Sequence, residues 1–146
     1  MRRRVIIAFG VLAFLVIAFE AARFLTAENV ERSAVFALLE DQARGDTVAV
    51  TAALEGCTRQ CADRVARTVR SARRPGEVKI LRFDAANRFS LGRSTGRSRV
   101  AWAVDVASGS EAVVQCVTVR RDWSLISGAS VTLQRLSAPL PPEKGC

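Results

Sequence analysis

The chain has no histidine, no tyrosine and a single methionine. The first absence removes the commonest general base and the commonest metal ligand together. Lysine is nearly missing as well: all but Lys79 and Lys144 of the 22 basic residues are arginine. A GC-rich genome produces that bias, so it carries no chemistry by itself. Proline is confined to Pro75, Pro139, Pro141 and Pro142. No nucleotide-binding glycine-rich motif, no H-E-x-x-H and no G-x-S-x-G occurs. Nothing in the sequence names a reaction, and no cofactor is expected.

The apolar residues are concentrated first in Val5–Phe19, VIIAFGVLAFLVIAF, fifteen residues without a charged or polar side chain. Arg2, Arg3 and Arg4 precede the run and Glu20 ends it. A helix of that length covers about 22 Å, short of the ~30 Å hydrocarbon core of a bilayer. Ala21, Ala22, Phe24 and Leu25 extend it if Arg23 snorkels and Glu20 sits among headgroups. One reading is an uncleaved signal anchor; the other is a cleaved signal peptide. Leu25-Thr26-Ala27 matches the small-residue cleavage pattern poorly, and no cysteine follows the run to make a lipoprotein site, so the anchor is preferred. A buried helix of a soluble core does not fit three arginines set against a run apolar all round. The positive-inside rule keeps Arg2–Arg4 cytoplasmic and exports the chain beyond the apolar run. The expected location is the cell membrane, single-pass, with a cytoplasmic N-terminus. Residues 1–25 form the basic tail and transmembrane anchor, 26–137 an extracytoplasmic α+β domain, and 138–146 a proline-rich tail.

The remaining ~120 residues suffice for one small domain with its own core. The 49% apolar content excludes wholesale disorder, and the net charge is +8. Cys57, Cys61, Cys116 and Cys146 make an even count, which in an exported domain reads as two disulfides. Of the three connectivities, Cys57–Cys61 with Cys116–Cys146 is preferred. The first pair is within reach at a helix start, and the second would pin the tail onto a sheet. Zinc is the rival. The spacing C-x3-C suits it, but the other two cysteines are isolated and no histidine can assist, so no metal is expected.

Residues 24–44 continue the anchor as one helix. Phe24, Val30, Ala34, Val35, Leu38 and Leu39 recur at helical spacing, with Glu28, Glu31, Arg32, Glu40 and Asp41 mostly between them. Gly45 ends it, and Asp46 or Thr47 caps the short apolar segment Val48–Leu54. Thr58–Arg74 is a helix with Cys61, Val65, Val69 and Ala72 on one face and Arg59, Arg64, Arg67, Arg70, Arg73 and Arg74 on the others. From Glu77 the period becomes two. Val78–Phe83 is a strand that Asn87–Leu91 resumes. Gly92–Ser98 is a loop. Arg99–Val106 alternates, with Val100, Trp102, Val104 and Val106 facing one way. Ala107–Ser110 turns into Ala112–Arg121, which puts Val113, Gln115, Val117 and Val119 on one face and Cys116 on the other. Arg121–Ser124 is a turn. Leu125–Leu136 is the fourth strand, with a bulge at Gly128. Helices followed by an antiparallel meander make an α+β fold, with helices packed on one face of a four-stranded antiparallel sheet.

In RRPGEVKILRFD, TGRSRVAWAVD, VVQCVTVRR and SVTLQRLSAP, and in the element order they belong to, the chain resembles the cystatin-like/NTF2-like superfamily. More narrowly, it resembles small uncharacterised membrane-anchored proteins of high-GC Gram-positive bacteria. The resemblance implies a fold and a location and no activity. NTF2-like enzymes set an Asp, His or Tyr in the cone between sheet and helices, and two of those residue types are missing here.

Asp84 and Asp105 are the carboxylates in or at the ends of strands, either pocket acids or solvated strand ends. From Arg59 to Arg99 the chain carries eleven Arg and Lys79 against Asp63, Glu77 and Asp84, a local +9. Such a face either is simply solvated or meets an anionic envelope partner or a protein, with Arg59, Arg67, Arg70 and Arg74 as its binding residues. Nucleic acid is not expected, because the domain is exported and lacks a reading motif. Trp102 belongs to the core; Trp123, in a turn, is a surface anchor for a partner. The leading function is a membrane-tethered extracytoplasmic binding or accessory domain without catalysis. A small NTF2-like enzyme or ligand carrier is the second reading, and a structural subunit of a cell-envelope complex is the third. A deep pocket at Asp84 or Asp105 favours the enzyme or carrier; a filled core with a flat basic surface favours the binding domain.

Overall fold

A computed structural model describes residues 2–74, 76–85, 93–104, 112–124 and 128–146. Three helices come first: α1 (Arg2–Arg44), α2 (Thr47–Ala53) and α3 (Arg59–Ala72). The strands β1 (Val78–Asp84), β2 (Ser94–Val104), β3 (Val113–Ser124) and β4 (Gly128–Leu136) come after them. They pair in sequence order, each antiparallel to the next. The expected α+β meander is therefore the observed one.

α1 is continuous because nothing between Val11 and Arg44 breaks it, and it stops where a left-handed residue is required. Gly45 has φ +83°, donates to the Gln42 carbonyl at 3.0 Å, and is followed by Asp46 N–H donating to Asp41 O at 2.9 Å. This nested pair of bonds is the Schellman ending, for which glycine has no Cβ penalty. Asp46 then caps α2, its Oδ1 accepting from Ala49 N–H at 2.9 Å. α3 buries Val65, Thr68, Val69 and Ala72. The segment after α2 lies along the outer edge of β4: Leu54 bridges to Leu133, and Glu55 N–H donates to the Leu133 carbonyl at 2.8 Å. The β4 edge is thereby covered at Leu133.

The helices cover one face of the sheet, and the buried side chains lie between them. Val35, Leu38, Leu39, Val50, Val69, Val100, Trp102, Val117 and Val119 are all buried. Among the described residues the polar side chains of Glu31, Gln42, Ser98 and Gln115 lie fully inside this layer. Glu31 of α1 accepts from the Ser98 hydroxyl and pairs with the Arg121 guanidinium. Gln42 Nε2 donates to Gln115 Oε1 at 3.2 Å, and the same oxygen accepts from Trp102 Nε1 at 2.8 Å. These contacts run α1 antiparallel to β3, with Glu31 over Arg121 and Gln42 over Gln115.

Both disulfides expected from the sequence are formed, Cys57–Cys61 and Cys116–Cys146. All four thiolates that zinc would need are thus in covalent pairs. The tail first continues the line of β4 beside β3, with Ser137 N–H on Cys116 O at 2.9 Å and Leu140 N–H on Val114 O at 2.8 Å. It then returns to Cys116 through Cys146.

Four expectations are corrected. Gly92–Ser98 is not a loop throughout, because β2 begins at Ser94 and pairs Thr95, Gly96 and Arg97 with Arg120, Val119 and Thr118. Arg121–Ser124 is not a turn but the end of β3, opposite Val131, Ser130, Ala129 and Gly128. In both places a long partner strand overrides weak local propensity. Gly128 (φ +72°) opens β4 rather than bulging it; the bulge falls at Gln134, between the partners of Thr118 and Val119. Glu31 is buried rather than set on the polar face of α1. Asp105, Val106, the Ala107–Ser110 turn, the Asn87–Leu91 extension and Leu125 lie outside the described residues.

At the start of α1, Ile6, Ile7, Phe9, Val11, Leu12, Phe14, Leu15, Val16, Ile17 and Phe19 are between 50% and 70% exposed. Among the described residues no helix is long and apolar enough to cross a membrane.

Candidate functional site

A β-strand sends alternate side chains to opposite faces, so the residues not buried under the helices form a second surface. On β1 these are Lys79, Arg82 and Asp84; on β2, Thr95, Arg97 and Arg99; on β3, Thr118, Arg120 and Asp122. Arg135 of β4 stands opposite Thr118. A cleft of about 830 Å³ opens on this face, lined by Asp84, Thr95, Arg97, Arg99, Thr118 and Arg135, with Gln134 and Cys146 at its border.

The charges in and around the cleft are mostly paired. Asp84 is held by Arg82 Nε at 3.0 Å and faces Arg99 at 3.7 Å. Arg99 also donates to the Lys144 and Pro142 carbonyls, and Arg97 donates to the Cys146 carbonyl at 3.0 Å. Two sheet arginines therefore hold the tail that the disulfide fastens. Beside the cleft, Arg120 bridges Glu55 at 2.6 Å and Asp122 at 3.1 Å, and Arg93 meets Asp122 at 2.6 Å. The Arg93 hydrogen bond, followed by that from Arg120, holds the Asp122 carboxyl below its ordinary range against the opposing effect of desolvation. Hydrogen bonds to Glu55 and then Asp122 push Arg120 higher still. Among the described residues Arg135 has no carboxylate partner. The cleft thus keeps an excess of positive charge beside the hydroxyls of Thr95 and Thr118, the donor set of an anion-binding surface.

The site residues expected from the sequence are dispersed. Asp84 is at the cleft, locked in ion pairs rather than isolated in an apolar pocket. Asp105 lies outside the described residues. Arg59, Arg67 and Arg70 are exposed on α3 and Arg74 follows its end, half-buried. Arg70 Nε lies back on the Ala66 carbonyl of its own helix at 3.3 Å. Trp123 is no turn residue; it is on the helix-facing side of β3, in edge-to-face contact with Phe19, ring centroids 6.0 Å apart. The cleft residues Thr95, Thr118 and Arg135 belong to no sequence motif. The alternation Thr95-Arg97-Arg99 carries their signal, but Gly92 and Gly96 disguise it as a loop. No family model, no curated protein and no solved structure matches the chain.

Proposed function

We propose that this protein is a membrane-tethered extracytoplasmic binding domain of the cystatin-like/NTF2-like kind, without catalysis of its own, whose arginine-lined outer sheet face receives an anionic or protein partner. The observation that carries the reading is one continuous helix with two characters. Its first part exposes ten large apolar side chains to whatever surrounds it, and its second part is the central helix of a disulfide-braced domain. Patches of exposed apolar surface that size mark membrane or protein contacts. Two disulfides suit an oxidising compartment. Arg2, Arg3 and Arg4 before the apolar run give the orientation by the positive-inside rule. The uncharged run is short for a span, and local bilayer thinning or snorkelling of the flanking arginines closes the difference. Against the enzyme or carrier reading stands the layer between helices and sheet, where the buried side chains of Trp102, Leu38, Leu39 and Gln115 take up space a substrate would need.

The test is topology. A reporter fused after Cys146 is expected to be active outside the cytoplasm, and replacing Arg2–Arg4 with glutamates is expected to impair insertion or mix its direction. A reporter active only in the cytoplasm refutes the tether. A pull-down from gently solubilised membranes, repeated with Arg97→Glu/Arg135→Glu, then asks whether a captured partner depends on the cleft.

A further inference from the structure

The edge-to-face pair Phe19–Trp123 joins the two characters of α1 at one point. Phe19 is the last residue of the uncharged run, and Trp123 is the penultimate residue of β3. Arg121, two residues earlier on the same face of β3, is fixed to Glu31 of α1. Twelve helical residues separate Phe19 from Glu31, about 18 Å of axis. Two strand residues separate Trp123 from Arg121, only about 7 Å. For both contacts to be made, the Trp123 ring has to reach along α1 beyond the end of the sheet, toward the apolar run. It stops level with Phe19, the last side chain of the uncharged run, which is itself half exposed.

Resting on the tether proposed above, we infer that the Phe19–Trp123 end of the domain is a second membrane contact, with the Trp123 indole seated at the lipid–water interface. The occupant is given by continuity: whatever surrounds Ile17 and Phe19 also surrounds a ring 6.0 Å from Phe19. Indole suits that depth, since it is an amphipathic ring with an apolar body and a polar edge. The short apolar run draws the domain down rather than holding it clear, since a span below the hydrocarbon thickness pulls its flanking residues to the interface. Trp123 is thus a lipid anchor that fixes how the sheet stands on the bilayer, and the cleft on the opposite face stays open to solvent.

The chain holds only two tryptophans, which makes fluorescence selective. Trp102 is fully buried under α1 and serves as the internal control. The full-length protein is reconstituted in phosphatidylcholine vesicles carrying a nitroxide on the headgroup or, separately, near the acyl-chain end. The Trp123 signal is read in Trp102→Phe. It is read independently as the difference between wild type and Trp123→Phe, which serves if the buried substitution does not fold. The expected result is about twofold quenching of Trp123 by the headgroup label, weaker quenching by the deep label, and shielding from aqueous iodide, as for interfacial tryptophans. Trp102 in Trp123→Phe should respond to none of the three. Protein that floats with the vesicles while Trp123 is quenched by iodide and ignores both labels overturns this inference and leaves the tether standing. Protein that does not float with the vesicles overturns both.

Discussion

Arg121→Met removes one charge from the layer between α1 and the sheet and keeps the length of the side chain. Its partner Glu31 is wholly buried, while the Arg121 side chain is 20% exposed. In the wild type the carboxylate has the guanidinium and the Ser98 hydroxyl as donors. In the variant it keeps the hydroxyl and loses the compensating charge. Stranding one partner of a buried pair costs about 3–5 kcal/mol. Domains of this size are stable by roughly 5–15 kcal/mol in total. At about 4 °C per kcal/mol, the midpoint should fall by roughly 12–20 °C.

The double variant Glu31→Leu/Arg121→Met distinguishes a stranded charge from lost packing. With both charges gone, apolar groups fill the site beside the Ser98 hydroxyl. Its stability should lie within about 2 kcal/mol of wild type and above that of the single variant. The assay is thermal and urea unfolding of the detergent-solubilised full chain, disulfides intact, followed by circular dichroism. An Arg121→Met cost below about 1 kcal/mol would place Glu31 in contact with water and refute the buried pair. A double variant no better than the single would show that the loss comes from side-chain volume.

Trp102→Ala should cost about 3–5 kcal/mol, because the ring is fully buried and its N–H is bonded to Gln115; an unchanged midpoint would refute its place in the core. Cys146→Ser opens a loop closed over a separation of 30 residues and Cys61→Ser one of 4, so the first should destabilise by about 3–4 kcal/mol and the second by less. Non-reducing digestion should return both cross-linked peptides, and four alkylatable thiols would refute the bridges. Asp122 has a lowered folded pKa, so its contribution is complete above the ordinary 3.8 and is lost as pH falls below that value through the folded one. The stability advantage of wild type over Asp122→Asn should therefore shrink on acidification and, the pairs being at the surface, with added salt; an advantage independent of both would refute the assignment to Arg93 and Arg120.

The features legible in the sequence were those with a local cause. An uninterrupted helix ended by Gly45, a change of period at Val78, alternation through Val100 and Trp102, and cysteines near a helix start and a strand each arise from neighbouring residues. Long-range choices were not legible. Glu31 and Arg121 are 90 positions apart, and Gln42 and Gln115 are 73 apart. A glutamate between apolar positions reads as solvated until its cation is known. The strand ends failed for a related reason. Ser94–Ser98 and Arg121–Ser124 have turn-like composition, and each is held in extended form by its neighbour across the sheet. The cleft takes Thr95 and Arg97 from the first of these ends, whose turn-like composition hides that Arg97 stands beside Thr118 and, one strand further, Arg135.

The buried polar contacts also explain why α1 has one position on the sheet. Val35, Leu38 and Leu39 present interchangeable aliphatic surface, which would pack nearly as well after a slide of one turn, about 5.4 Å. Glu31 would not survive that slide, because it would leave Arg121 and Ser98 and remain a buried, unpaired carboxylate. Gln42 would likewise leave Gln115, whose other bonds tie it to Trp102 and to the Ser137 carbonyl of the tail. Two points about 16 Å apart on one helix are thus fixed, and they set both its axial position and its rotation. No proline or glycine lies between Glu31 and the apolar run to absorb a change in either. The rotation that puts Glu31 over Arg121 therefore also decides which side of the run faces the sheet, and Phe19 is the residue that meets Trp123.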